Sequence, residues 1–203
     1  MMAHDRPSQN DYDVYESILS SNYTRPVETF GSSEHDADFI NIYGRLGGEI
    51  VFGIDGIGRM GSSEILPFTK TYRLMAMDLP DMGSVIHIPS GNNLDRGTQV
   101  IKFYGHSLGK ADYSYFQAIF DAVNLYESST SLVFFFRPHK NPTGEMGSVD
   151  KARKDMMAKA IALLTTYGET LDNKDHGANL IHKLLKEGRL AVTLLPNTVR
   201  KAY

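Results

Sequence analysis

Apolar residues along the 203-residue chain fall into short runs and helical stripes that alternate. The strongest run spans residues 131–137, where Leu132, Val133, Phe134, Phe135 and Phe136 follow one another without a polar break. A continuous apolar run of this length predicts a strand covered on both sides. Residues 14–20, 39–43, 99–104 and 190–195 predict further strands, with 49–54 and 84–88 as additional candidates. Helical spacing governs other stretches. Phe116, Ile119, Phe120 and Val123 recur at intervals of three and four behind Asp112, which predicts a helix with that aspartate at its N-cap. Residues 149–167 predict a long helix with Met156, Ala160, Ile161 and Leu164 inward. Residues 178–187 predict another, with Leu180, Ile181, Leu184 and Leu185 inward and Gly188 as its stop. A shorter helix is expected over 68–77, ended by Pro80. Strands alternating with helices predict an α/β fold: a largely parallel, Rossmann-like sheet with helices on both faces. Residues 1–13 read as a disordered lead-in, and 14–203 as one α/β domain with C-terminal helices.

Composition narrows the chemistry. The chain has 24 acidic and 21 basic residues, a net charge of −3, and no dense lysine or arginine run. A phosphate-tracking nucleic-acid surface is therefore not supported. The absence of cysteine excludes a disulfide framework, a thiolate zinc site and a cysteine nucleophile. It also fits a reducing cytoplasm. No apolar run approaches membrane-spanning length, and the polar, acidic start has no signal-peptide core, so a cytoplasmic protein is expected. The seven histidines show no metal-ligand spacing.

One motif carries the pattern of a catalytic site. Gly105-His106-Ser107-Leu108-Gly109 matches G-x-S-x-G, the strand-to-helix elbow that lifts a nucleophilic serine above a sheet in α/β-hydrolases. Asp150 or Asp172, with His176 or His182, follow in the order such a triad requires. Against that reading, the next good N-cap is Asp112, five residues beyond Ser107, whereas an elbow helix begins at the serine. His182 also falls within a helical stripe. A glycine-bounded turn at the carboxyl end of a strand accounts for the motif without catalysis, and such turns are where ligands meet backbone N–H groups.

Several stretches read together resemble the AbiH-type phage abortive-infection family. Ile18-Leu19-Ser20-Ser21-Asn22-Tyr23-Thr24 resembles its "S-F-N-Y-T" segment. Phe39-Ile40-Asn41-Ile42-Tyr43-Gly44, with Glu49-Ile50-Val51-Phe52-Gly53-Ile54-Asp55, resembles its "I-N-I-H-G … I-I-F-G-I-D" stretch. Gly105-His106-Ser107-Leu108, with Ala111-Asp112-Tyr113-Ser114-Tyr115-Phe116 and Ile119-Phe120, resembles its "G-H-S-L … D-Y-x-Y-F-x-x-I-F". The likeness runs from about residue 14 to 195, and the third stretch is its most specific part. The same three blocks also resemble a wider sirtuin-like nucleotide-binding group.

The resemblance implies a phage-defence role and a crevice for NAD or another nucleotide. It would be lined by Asn22, Tyr23, Thr24, Tyr43, Gly44, Gly105, His106, Ser107 and Asp112. A turn-stabilising side chain at Asn22, backbone geometry at Gly44 and helix capping at Ser107 and Asp112 are the structural alternatives. Two departures stand out. The family's opening strand and "G-N-G-F-D" turn have no counterpart here, so a fragment, a split gene or a shortened homologue is expected. Such a chain would self-associate or bind a partner supplying the missing half. Tyr43 also stands where the family has histidine, and a hydroxyl of pKa about 10 does not take up a proton near pH 7. A non-enzymatic interaction module and a serine hydrolase using Ser107 are the competing readings.

Overall fold

The computed structural model describes residues 17–21, 38–43, 50, 53, 63–69, 72, 75, 97–109, 112–140 and 144–195. The chain divides into two compact units, Met1–Ile50 and Val51–Tyr203. The first contains two parallel strands, β1 (Ser17–Ser20) and β2 (Asp38–Asn41), paired from Ser17 opposite Asp38 to Ser20 opposite Asn41. The Ile42 N–H continues the pairing by donating to the Ser20 carbonyl at 2.9 Å.

The second unit is built on β3 (Val100–Phe103), β4 (Ser131–Phe136) and β5 (Leu190–Leu194), all parallel with β4 between the other two. Helix α1 (Tyr113–Ala122) connects β3 to β4. Helices α2 (Val149–Thr170) and α3 (Lys174–Lys186) together connect β4 to β5. The α/β class with parallel strands is therefore present.

Side-chain alternation sorts the sheet into two faces. On one, Phe103, Leu132 and Phe134 share a core with Phe116 and Phe120 of α1, Ala160, Leu163, Leu164 and Tyr167 of α2, and Leu180 and Leu184 of α3. All three helices thus pack on that face. Phe103 is stacked on Phe134 at 4.4 Å and met edge-on by Phe116 and Phe120. The opposite face presents Lys102 and Tyr104 beside Val133 and Phe135. Buried and half-buried positions alternate along β4, so the apolar run at 131–136 is more deeply covered on its helix side.

Two expectations need correction. Ile161 is 48% exposed and Leu185 is 55% exposed, whereas Leu163 and Tyr167 occupy the inward positions of α2. Helix α3 begins at Lys174, well before residue 178, because the Asn173 side chain accepts from the N–H groups of Asp175 and His176. Of the helix expected over residues 68–77, the described Tyr72 and Met75 are helical, preceded by a 3₁₀ turn at Leu66–Phe68, and the Thr69 hydroxyl between turn and helix accepts from the Tyr72 N–H. Strand candidate 84–88 lies outside the described residues, as does all of 49–54 except Ile50 and Gly53.

The amino end of this sheet is tied by polar contacts. The Thr130 hydroxyl donates to the Thr98 carbonyl at 2.7 Å. The Arg189 guanidinium, 7% exposed, donates to the carbonyls of Thr130 and Leu125 and to the Glu187 carboxylate. Gly188, at φ 70°, supplies the left-handed residue that turns α3 into β5.

Candidate functional site

The Gly105–Gly109 turn leaves the carboxyl end of β3, where Phe103 is fixed in the core and Tyr104 is released from it. Gly105 has φ 61° and Leu108 has φ 53°, so two left-handed residues flank His106 and Ser107. Leucine has a Cβ and is disfavoured in that region, so a local contact must hold it there. That contact is the Leu108 N–H donating to Nδ1 of His106 at 2.8 Å.

The bond also fixes the imidazole. Nδ1 accepts, so the neutral ring carries its proton on Nε2. Nε2 faces Oδ2 of Asp112 at 3.4 Å, with both side chains mostly buried. The Phe116 ring meets the imidazole edge-on at 5.0 Å and 89°. His106 is thus clamped between its own turn and the first turns of α1. Asp112 occupies the N-cap position but makes no side-chain capping bond, so the capping role expected for it is replaced by the contact with His106.

Ser107 is exposed between the two left-handed residues. In a nucleophile elbow the strain falls on the serine and the helix starts there. Here the left-handed residues are Gly105 and Leu108, and α1 starts at Tyr113. His106 offers Ser107 no proton acceptor, since the Nδ1 lone pair is taken and Nε2 carries the hydrogen.

His176 lies at the other end of the sheet. Its ring stacks on Tyr126 at 4.1 Å, and its Nδ1 is 3.9 Å from Glu127, in the segment that enters β4 from the amino side. His182 is exposed on α3. Asp150 is in the exposed first turn of α2, and Asp172 is exposed between α2 and α3. Ser107 and His176 therefore lie at opposite ends of the sheet and do not assemble into the expected triad.

Tyr113 and Tyr115 are half-buried at the start of α1. Burial pushes both hydroxyls up. Tyr115 reaches about 12, with the Asp112 charge adding to the effect. Both remain neutral at physiological pH and serve as packing groups with polar tips.

The other candidates belong to the first unit. Tyr43 is buried at the carboxyl end of β2, next in space to the end of β1 through the Ile42–Ser20 bond. Asn22, Tyr23, Thr24 and Gly44 lie outside the described residues. In each unit, then, the described candidates sit at the carboxyl ends of parallel strands.

Among the described residues, no group of three or more histidine, cysteine or acidic side chains is placed to hold a metal ion. Nor is any helix among them long and apolar enough to cross a membrane.

Sequence reading missed two parts of the site. The His106–Asp112 contact spans a turn and carries no periodic signal. Tyr104, 53% exposed and stacked on Phe135 at 4.4 Å and 7°, was legible only as the last residue of a strand. No family model matches the chain, and no curated protein or solved structure matches it.

Proposed function

We propose that this chain is a cytoplasmic phage-defence domain of the abortive-infection type that binds a nucleotide at the carboxyl edge of its parallel strands. The observation that carries this reading is the Gly105–Gly109 turn. It follows a parallel strand, exposes Ser107, and is held in an otherwise disfavoured backbone conformation by His106. Ligands of open α/β sheets sit outside the carboxyl ends of the strands, where backbone N–H groups and helix starts favour phosphate. The resemblance of residues 18–24, 39–55 and 105–120 to the abortive-infection family supports the biological setting.

Calorimetry of the full chain with NAD and with ADP tests the binding. Ser107→Leu, which fills the mouth of the turn, is expected to weaken binding at least tenfold. No binding at millimolar ligand would overturn the reading. Phage plating efficiency on cells expressing the wild type, compared with Ser107→Leu, tests the defence role.

A second reading is an interaction module that self-associates or takes up a partner supplying further strands. It is favoured by Met157 and Ile161, 43% and 48% exposed and one helical turn apart on α2. Light scattering over a concentration series separates the two. A monomer at high micromolar concentration removes self-association, and assembly abolished by Met157→Lys and Ile161→Lys supports it.

A further inference from the structure

Tyr104 is the last residue before the Gly105–Gly109 turn and is 53% exposed. One side of its ring lies against Phe135, with centroids 4.4 Å apart and planes within 7° of parallel. Phe135 is half-buried in β4 and paired with Thr193 of β5, so this support is anchored in the middle strand of the sheet. Strand alternation turns Tyr104 to the sheet face opposite Phe103, away from the core beneath the helices. Here the ring is braced from behind and left half in water, at the sheet edge where the candidate site lies. Lys102, two residues earlier on the same face, is exposed, and so is Arg137, immediately past β4. A flat aromatic surface with a lysine on the same sheet face fits a ligand that joins an aromatic ring to an anionic group.

We infer that Tyr104 is a stacking platform for the base of a nucleotide, whose ribose and phosphate run along the carboxyl edge toward Ser107. Three Cα steps of 3.8 Å separate Tyr104 from Ser107, so the two lie within about 11 Å of each other. Stacking on tyrosine tolerates any base, because every base has a π-face. Discrimination against a ligand without a base is therefore the property Tyr104 confers. This inference rests on the nucleotide reading above and adds to it the residue that recognises the base.

The chain contains no tryptophan. Tyr104→Trp therefore creates a single emitter at the platform, in an exposed position that accommodates the larger ring. Purified full-length Tyr104→Trp is titrated with AMP, adenosine and ribose 5-phosphate, and calorimetry compares the wild type with Tyr104→Ala. The expected result is quenching by AMP and adenosine but not by ribose 5-phosphate. Tyr104→Ala should bind AMP at least about tenfold more weakly, with ribose 5-phosphate affinity unchanged.

AMP binding to the wild type with no quenching at position 104, and equal affinity in Tyr104→Ala, would overturn the platform and leave nucleotide binding standing. Adenosine quenching that Ser107→Leu leaves unaltered, with no binding of ribose 5-phosphate, would support the platform and remove the turn from the site. If neither AMP nor adenosine binds the wild type, both readings fall. A blue shift of the emission on raising protein concentration alone would assign this face to a second copy of the chain and overturn the inference.

Discussion

The backbones of Gly168 and Gly177 touch where α2 and α3 cross, so a Cβ built on Gly168 would lie 2.5 Å from the Gly177 carbonyl oxygen. A Cβ on Gly177 would overlap the Gly168 carbonyl oxygen. The two helices are joined by only three residues, 171–173, and the glycine pair allows them to close on each other immediately. Lys174 secures the same corner by donating to the carbonyls of Glu169 and Leu171 at the end of α2.

Gly177→Ala should therefore destabilise the protein although alanine favours helix. The propensity gain is about 1 kcal/mol, whereas the clash is with backbone, which has no rotamer to change, and overpacking of this kind costs about 1–3 kcal/mol or more. A drop of several degrees in melting temperature is expected. Gly144→Ala serves as a control: at φ 87° with open space around its Cα, its cost comes from backbone strain alone, without a packing clash. An unchanged melt for Gly177→Ala would show that α2 and α3 stand further apart.

Arg189 makes a second prediction. Its guanidinium satisfies the Leu125 and Thr130 carbonyls at the amino end of the sheet. Arg189→Met leaves both without that donor, at about 1–3 kcal/mol for each buried acceptor. Arg189→Lys keeps the charge but loses the planar fork, and should recover less than half of the loss in a denaturant titration. Full recovery by lysine would reduce the role of Arg189 to charge.

The acid limb of stability should depend on Glu187. Its carboxyl is held below the ordinary range by hydrogen bonds from Lys183 and Arg189. A folded-state pKa below the unfolded one gives stability that is present above about 4.3, the ordinary glutamate value, and is lost as pH falls through the folded value. Glu187→Gln should thus be less stable than wild type at pH 7, with the gap closing toward pH 3. A gap constant from pH 7 to 3 would show that Glu187 acts without its charge.

Ser107 should resist a fluorophosphonate probe, because Nδ1 of His106 is committed to Leu108 and its Nε2 faces Asp112. Stoichiometric labelling of the folded protein, lost in Ser107→Ala, would require a base that reaches Ser107 and would restore the hydrolase reading.

The parallel sheet was legible where a strong local signal coincided with burial. The apolar run at 131–136 and the spacing of Phe116, Ile119 and Phe120 each admitted one reading, and the structure follows both. The inward face of α2 was harder, because Ala160 and Ile161 are adjacent and spacing alone accepts either. Tyr167 decides it by filling the core against Phe120 while its hydroxyl reaches Asp121 at 3.0 Å, a contact across 46 residues. Gly177 misplaced the start of α3 for a related reason: glycine reads as a helix breaker, and its packing value exists only once Gly168 faces it. At the site, the late start of α1 was visible from Asp112. The direction of the Asp112 side chain was not, since the N-cap preference of aspartate is local and the imidazole that claims it belongs to the preceding turn.

The two ends of the three-stranded sheet are built differently. At the amino end, Thr98, Thr130 and Arg189 tie the segments entering β3, β4 and β5 to one another. At the carboxyl end, the turn after β3 is held by the His106 imidazole and by the Asp112 N–H, which donates to the Gly109 carbonyl, and its serine faces solvent. Deuterium uptake should therefore run as a gradient along the strands, slow where they begin and fast where they finish. Tolerance to substitution should have the same direction. Substitutions in the turn at the finishing edge should cost less stability than substitutions at Thr130 or Arg189, whose hydrogen bonds join neighbouring strands.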